Sequence, residues 1–117
     1  MRTKQVIIVR TDVFDLTKHI GKLAGQVAHA SAGLVEKSTK HHLDQWRKDN
    51  HAKIVLQVDN LQQLTDIYQQ AIKSGIPAII ITDAAHTVFD QPTVTCVGLG
   101  PYPSDQLNII TGKLRLL

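Results

Sequence analysis

Three residue types that can do chemistry recur one to two helical turns apart in Gly21-Lys22-Leu23-Ala24-Gly25-Gln26-Val27-Ala28-His29-Ala30. At about 100° per residue, Lys22, Gln26 and His29 fall on one line of a helix, and Gly33 continues it. An amine, an amide and an imidazole so stacked are either a solvated face or half of a site. A second grouping, Thr82-Asp83-Ala84-Ala85-His86-Thr87, follows an apolar run. Its carboxylate and hydroxyl, Asp83 and Thr87, stand four residues apart. With a lysine brought near, they make a hydrolytic corner, in which one group orients or deprotonates water and another steadies developing negative charge. Taken alone, Asp83 is more often a loop or cap residue than a catalyst, and Thr87 ordinarily a turn residue.

The elements that must position these groups are legible from periodicity. Residues 4–10 form a β-branched run suited to a buried central strand. A loop over 11–20 leads into a helix reaching about Lys37. Its expected apolar face is Ile20, Leu23, Ala24, Val27, Ala28, Ser31, Leu34 and Val35, with Lys22, Gln26 and His29 opposite. Ser38 or Thr39 caps a second, more polar helix carrying Leu43 and Trp46 and ending near Asn50. Residues 52–58 read as a strand. Asn60 caps a third helix that Gly75 and Pro77 terminate. Strands over 78–81 and 93–99 follow, and a short helix from Ser104 ends near Gly112. Strand, helices, strand, helix, strand implies right-handed crossovers with parallel pairing, and a short loop implies that the last two strands run antiparallel. The expected product is an α/β domain, a small mixed sheet with helices on both faces. Ligands gather at the carboxyl ends of parallel strands, here the loops after Arg10, Val58 and Ile81.

Composition bounds the function. The 117 residues, 43% hydrophobic and 20% charged, suit one soluble globular domain over 1–117. A net charge of +3 is compatible with a polyanionic partner without requiring one. Cys96 is the single cysteine, so no intrachain disulfide forms and a reducing compartment is expected. No run reaches the ~20 apolar residues of a membrane span, and the first apolar run is too short for a signal-peptide core. A cytoplasmic protein without membrane association is expected. His41, His42 and His51 lack metal-site spacing.

The segments Val9-Arg10-Thr11-Asp12, Gly21-Lys22-Leu23-Ala24-Gly25-Gln26-Val27-Ala28-His29-Ala30, Asp83-Ala84-Ala85-His86-Thr87, Thr93-Val94-Thr95-Cys96-Val97-Gly98-Leu99-Gly100-Pro101 and Ile110-Thr111-Gly112-Lys113-Leu114 occur in that order. Together they resemble the archaeal and eukaryotic type of peptidyl-tRNA hydrolase, over essentially the whole chain. The resemblance implies a three-layer α/β/α domain around a four-stranded mixed sheet. It implies hydrolysis of the ester joining a peptide to the 3′ ribose of tRNA, with peptidyl-tRNA as partner, no required metal, no cofactor, and assembly as a homodimer. Carried over by position, it assigns catalysis to Lys22, Asp83, Thr87 and Thr95, with Gln26 and His29 in support. Asp83 would position the water; Lys22 would stabilise the oxyanion or hold the terminal phosphate; the threonines would bond the water or the ester carbonyl. A neighbouring cation also lowers a carboxylate's pKa.

Lys18, Lys37, Lys40, Arg47 and Lys48 form a candidate tRNA-binding flank. Interspersed Glu36, Asp44 and Asp49 make a mixed solvated face an equal reading. Cys96 reads as a buried strand residue and Trp46 as a helix anchor.

The chain departs from the family pattern on both sides of this site. Ile20 stands where a lysine is usual, and the stretch 13–19, with Phe14 and Asp15, is about three residues longer. Ala85 replaces a usual glycine, Val88 a polar residue, and Phe89-Asp90 a more proline-rich turn. If position 85 takes a positive φ, alanine there costs about 1 kcal/mol. These departures leave open a second reading, a non-catalytic RNA- or protein-binding module on the same scaffold, and a third, hydrolysis of a related acyl ester. A loop over 11–20 closed across Lys22 would favour the binding module.

Overall fold

The computed structural model describes residues 2–85 and 88–117. In chain order the elements are β1 (Thr3–Arg10), α1 (Ile20–Lys37), α2 (Lys40–Lys48), β2 (Lys53–Val58), α3 (Leu61–Lys73), β3 (Ala78–Asp83), β4 (Thr93–Pro103), α4 (Ser104–Thr111) and β5 (Arg115–Leu116). Local chemistry sets their ends. The Thr39 hydroxyl accepts the His42 N–H at the start of α2, and the Asn60 amide accepts the Gln63 N–H at the start of α3. Gly75, at φ 73°, takes the left-handed step that ends α3.

The strands pair in the order β3-β4-β1-β2-β5, with β1 and β2 parallel and β4 antiparallel to both β1 and β3. The sheet is mixed, as expected, but among the described residues it has five strands, not four. The fifth is only Arg115–Leu116, pairing with Gln57 and Leu56 at the edge and extended by the Leu117 N–H to the Val55 carbonyl at 3.0 Å. Two paired residues carry no period from which a strand can be read.

Alternation along β1 divides the core. Val6 and Ile8 pack with Leu64, Ile67 and Ala71 of α3 and Leu107 of α4, whereas Ile7 and Val9 pack with Leu23 and Ala30 of α1. On the α1 side the packing is close. A Cβ at Gly33 would lie 2.5 Å from Cδ1 of Ile79, and one at Gly98 would lie 2.8 Å from Cδ1 of Leu34.

The buried stripe of α1 is rotated from the expected face. Leu23, Gln26, Ala30 and Leu34 are buried, while Ala24, Ala28 and Ile20 (60% exposed) face outward. Small apolar side chains are nearly indifferent to exposure, so the fit of Gly33 and Leu34 against β3 and β4 sets the rotation, and it turns Gln26 onto the sheet. Between β3 and β4 the register shifts: Ile81 opposes Cys96, but Thr82 opposes Val94. Thr95 is the extra residue of a β-bulge.

Candidate active site

Asp83 is the last residue of β3, at the carboxyl end of the sheet, and only 8% exposed. Strand β3 runs two residues beyond the expected 78–81, which places Asp83 on the ladder opposite Thr93. Among the described residues, these groups reach its carboxylate. Lys22 Nζ lies 2.6 Å from Oδ1, Gln26 Nε2 donates to Oδ1 at 3.4 Å, and the Ala85 backbone N–H donates to Oδ2 at 3.0 Å. Lys22 and Gln26 are one turn apart on α1, so the helix rotation brings both to the strand end together.

Behind them sits Thr95, with no exposed surface. Its hydroxyl donates to Gln26 Oε1 at 2.6 Å. A hydroxyl has a single proton, so this bond presents the amide carbonyl of Gln26 to Thr95 and the amide NH2 to Asp83. The result is a chain of contacts from Thr95 through Gln26 and Asp83 to Lys22. The neighbouring Cys96 thiol faces the backbone carbonyl of Gln26 at 3.5 Å, and burial pushes its pKa up to about 11. A thiol held protonated in this way is a packing group, as expected, and not a nucleophile.

Ala85 has a φ of 69°, in the left-handed region that an alanine enters at a cost of about 1 kcal/mol. That conformation aims its N–H at the carboxylate two residues back. The departure from glycine noted in the sequence therefore falls on a position that does require positive φ. Backbone donors have no residue type, so this contact was not legible as part of the site.

The remaining candidates are distributed differently. Thr87, like His86, lies outside the described residues. His29 is exposed on α1, one turn beyond Gln26. Lys18 is exposed in the loop before α1. Lys37 stands about 22 Å along the helix from Lys22, and its Nζ donates to the Ala78 carbonyl at 2.6 Å. Lys40 and Arg47 both pair with Asp44, at 2.6 and 3.1 Å, while Lys48 is exposed. Among the described residues no group of three or more His, Cys, Asp or Glu side chains is arranged to hold a metal ion.

Two further features stand at the carboxyl end of the sheet without having been assigned a role. Arg10, at the end of β1, grips Asp12 through Nε and Nη2 at 2.8 and 2.7 Å, and its hydrogen bond holds the Asp12 carboxyl below the usual carboxylate range. Phe14 is turned inward and meets Phe89 edge-on, with ring centroids 5.6 Å apart. The lengthened loop and the altered turn are thus joined to each other. Leu16, Thr17 and Lys18 stand exposed, and the Lys22 side chain keeps 20% of its surface, so the loop does not seal the lysine.

A family model described as peptidyl-tRNA hydrolase PTH2 matches residues 3–117. The chain is 43% identical to a peptidyl-tRNA hydrolase of Sulfolobus acidocaldarius, over 97% of its own length and 99% of that protein. It is 42% identical to one of Sulfurisphaera tokodaii over the whole of both chains. It is 37% identical to one of Methanothermobacter thermautotrophicus, over 97% and 99% of the two lengths.

Proposed function

The chain belongs to the peptidyl-tRNA hydrolase PTH2 family, and on that premise we propose that it hydrolyses the ester between a peptide and the 3′ ribose of tRNA. The observation that carries the placement of the chemistry is the buried Asp83 carboxylate, held at the carboxyl end of the sheet by an ammonium, an amide and a backbone N–H. In the reaction, water oxygen bonds to the ester carbonyl carbon and the bond to the ribose oxygen breaks. Asp83 takes a proton from the water and returns it to the departing 3′ oxygen. An ammonium has three protons, so Lys22 can keep one on Asp83 and turn another toward the oxyanion. Thr95 acts through Gln26, which fixes the rotamer of the carboxylate. Thr87 bonds the water or the ester carbonyl, and His29 supports the same face of α1 from its exposed position.

Lys18, exposed in the loop before α1, is the first phosphate ligand we propose. Lys37, Lys40, Arg47 and Lys48 extend that track along α1 and α2, where exchange of Asp44 for phosphate would free two cations. The remaining proposals follow the family resemblance: one domain with α/β/α layering, a homodimer, a cytoplasmic location, and turnover without metal because Lys22 supplies the positive charge. The test is release of a labelled N-acetyl-aminoacyl group from tRNA, with and without EDTA. Wild type should turn over in both conditions, and Asp83→Ala or Lys22→Ala should lose a hundredfold or more, ~3 kcal/mol of barrier. Pure, folded wild type without turnover would return the chain to the binding-module reading.

A further inference from the structure

The loop between β1 and α1 carries a single buried side chain. Asp15, Leu16, Thr17 and Lys18 are exposed, whereas Phe14 keeps only 8% of its surface. Phe14 belongs to the apolar cluster that holds Leu23, Ile81 and Cys96. Each of these stands close in the chain to a side chain of the site. Leu23 follows Lys22, Ile81 precedes Asp83 by two residues, and Cys96 follows Thr95. Phe89 packs against the same cluster and meets Phe14 edge-on. A ring seated in a close-packed interior fixes the chain that carries it.

From Phe14 a short run of hydrogen bonds leads to Lys22. The Asp15 carbonyl accepts the Lys18 and His19 N–H groups at 3.0 and 2.7 Å, and His19 Nδ1 accepts the Asp15 N–H at 3.2 Å. His19 then occupies the N-cap of α1 without a capping side-chain bond, and its carbonyl accepts the Leu23 N–H at 2.9 Å. The first turn of a helix has backbone donors that the helix itself cannot satisfy, and it frays readily. Lys22 stands in that turn, with its ammonium 2.6 Å from the Asp83 carboxylate. The turn is held by the cluster through Leu23 and by the Asp15–His19 bonds ahead of it.

We propose that Phe14 is a positioning residue for the hydrolysis: seated in the cluster with Leu23 and Phe89, it fixes the first turn of α1 so that the Lys22 ammonium stays on Asp83. The inference rests on the hydrolase reading above. Phe14 acts through Lys22 and touches no reacting atom. It stands in the lengthened stretch 13–19, at which the chain departs from the family pattern, so the device belongs to this chain.

Steady-state release from N-acetyl-aminoacyl-tRNA reads the inference in a double-mutant cycle with Lys22. Phe14→Ala should lower kcat about tenfold and leave KM near wild type, because a misplaced catalytic group costs rate and not tRNA affinity. Phe14→Leu keeps an apolar plug and carries the test if the alanine variant does not fold. It should lose only about threefold in kcat. In a Lys22→Ala background the same Phe14 substitutions should change kcat by less than about twofold, since the group they displace is gone. A loss that persists undiminished without Lys22, a loss confined to KM, or wild-type kinetics in both Phe14 variants would overturn the proposal and leave the hydrolase reading intact. Pure, folded wild type without turnover would overturn both.

Discussion

Two aspartates at opposite ends of the sheet have similar partners and different consequences. At the amino end Asp49 accepts the Thr3 backbone N–H at 2.8 Å, the Thr3 hydroxyl at 2.7 Å and the Gln45 amide at 3.3 Å. At the carboxyl end Asp83 accepts the Ala85 backbone N–H, the Gln26 amide and the Lys22 ammonium. Asp49 ties the end of α2 to the start of β1. Around it Trp46 anchors α2 through Nε1 to the Ala52 carbonyl at 2.8 Å. Asp83 is the more buried of the two, its cation is partly exposed, and its backbone donor sits in a left-handed alanine. A staple needs geometry alone. A site needs charge with restricted solvent and a proton that can be redirected, and it tolerates backbone strain to get them.

The sharpest way to break this comparison is to remove each carboxylate. Asp83→Ala should lower kcat/KM by a hundredfold or more, whereas Asp49→Ala should leave kcat near wild type and lower the thermal midpoint, as read by ester release and calorimetry. Equal kinetic losses would erase the distinction. Next comes Thr95→Val, expected to cost about tenfold in kcat and about 1–3 kcal/mol of stability, because it leaves a buried amide carbonyl unsatisfied. Thr95→Ser should restore most of the rate. Recovery of stability without recovery of kcat would count against positioning through Gln26.

A pH titration separates the two ends in another way. Hydrogen bonds from Thr3, its hydroxyl first, hold the Asp49 pKa below its ordinary value of 3.8. A depressed folded pKa stabilises the protein above the unfolded value, and the contribution is lost as pH falls through the folded one. Asp49→Asn should therefore flatten the loss of thermal midpoint below about pH 4. The smallest effect expected is from Ala85→Gly, which should raise stability by about 0.5–1 kcal/mol by relieving φ 69°. Because glycine keeps the N–H, kcat should change little.

Much of the frame could be read from local pattern. The β-branched run of β1, the caps Thr39 and Asn60, and the stop at Gly75 each act through neighbours within a few residues, and all fall where periodicity puts them. The candidate site was legible in its residue types. Lys22, Gln26, Asp83 and Thr95 are named by resemblance, and they form one chain of contacts, Lys22 and Gln26 on the Asp83 carboxylate and Thr95 on Gln26. The face of α1 was not legible, because Ala24 and Ala28 lose little on either side, Gln26 is buried only by bonds to Asp83 and Thr95 on distant strands, and the match of Gly33 to Ile79 sets the rotation. Nor was the joining of the two divergent loops through Phe14 and Phe89, since an aromatic pair 75 residues apart in the chain leaves no local trace.

By itself the sequence determined the four helices, the first four strands, the antiparallel pairing of β3 with β4 and the residue types gathered at the sheet end, because each follows from period, capping chemistry or chain connectivity. The place of β4 between β1 and β3 did not follow from it. Tertiary structure alone decided how those types meet. Strict alternation would send Thr95 and Cys96 to opposite faces of β4. The bulge opposite Ile81 and Thr82 adds one residue to one strand only, and both side chains turn toward Gln26. A bulge is set by the pairing of two strands and the helix packed on them, and neither strand's sequence contains the other.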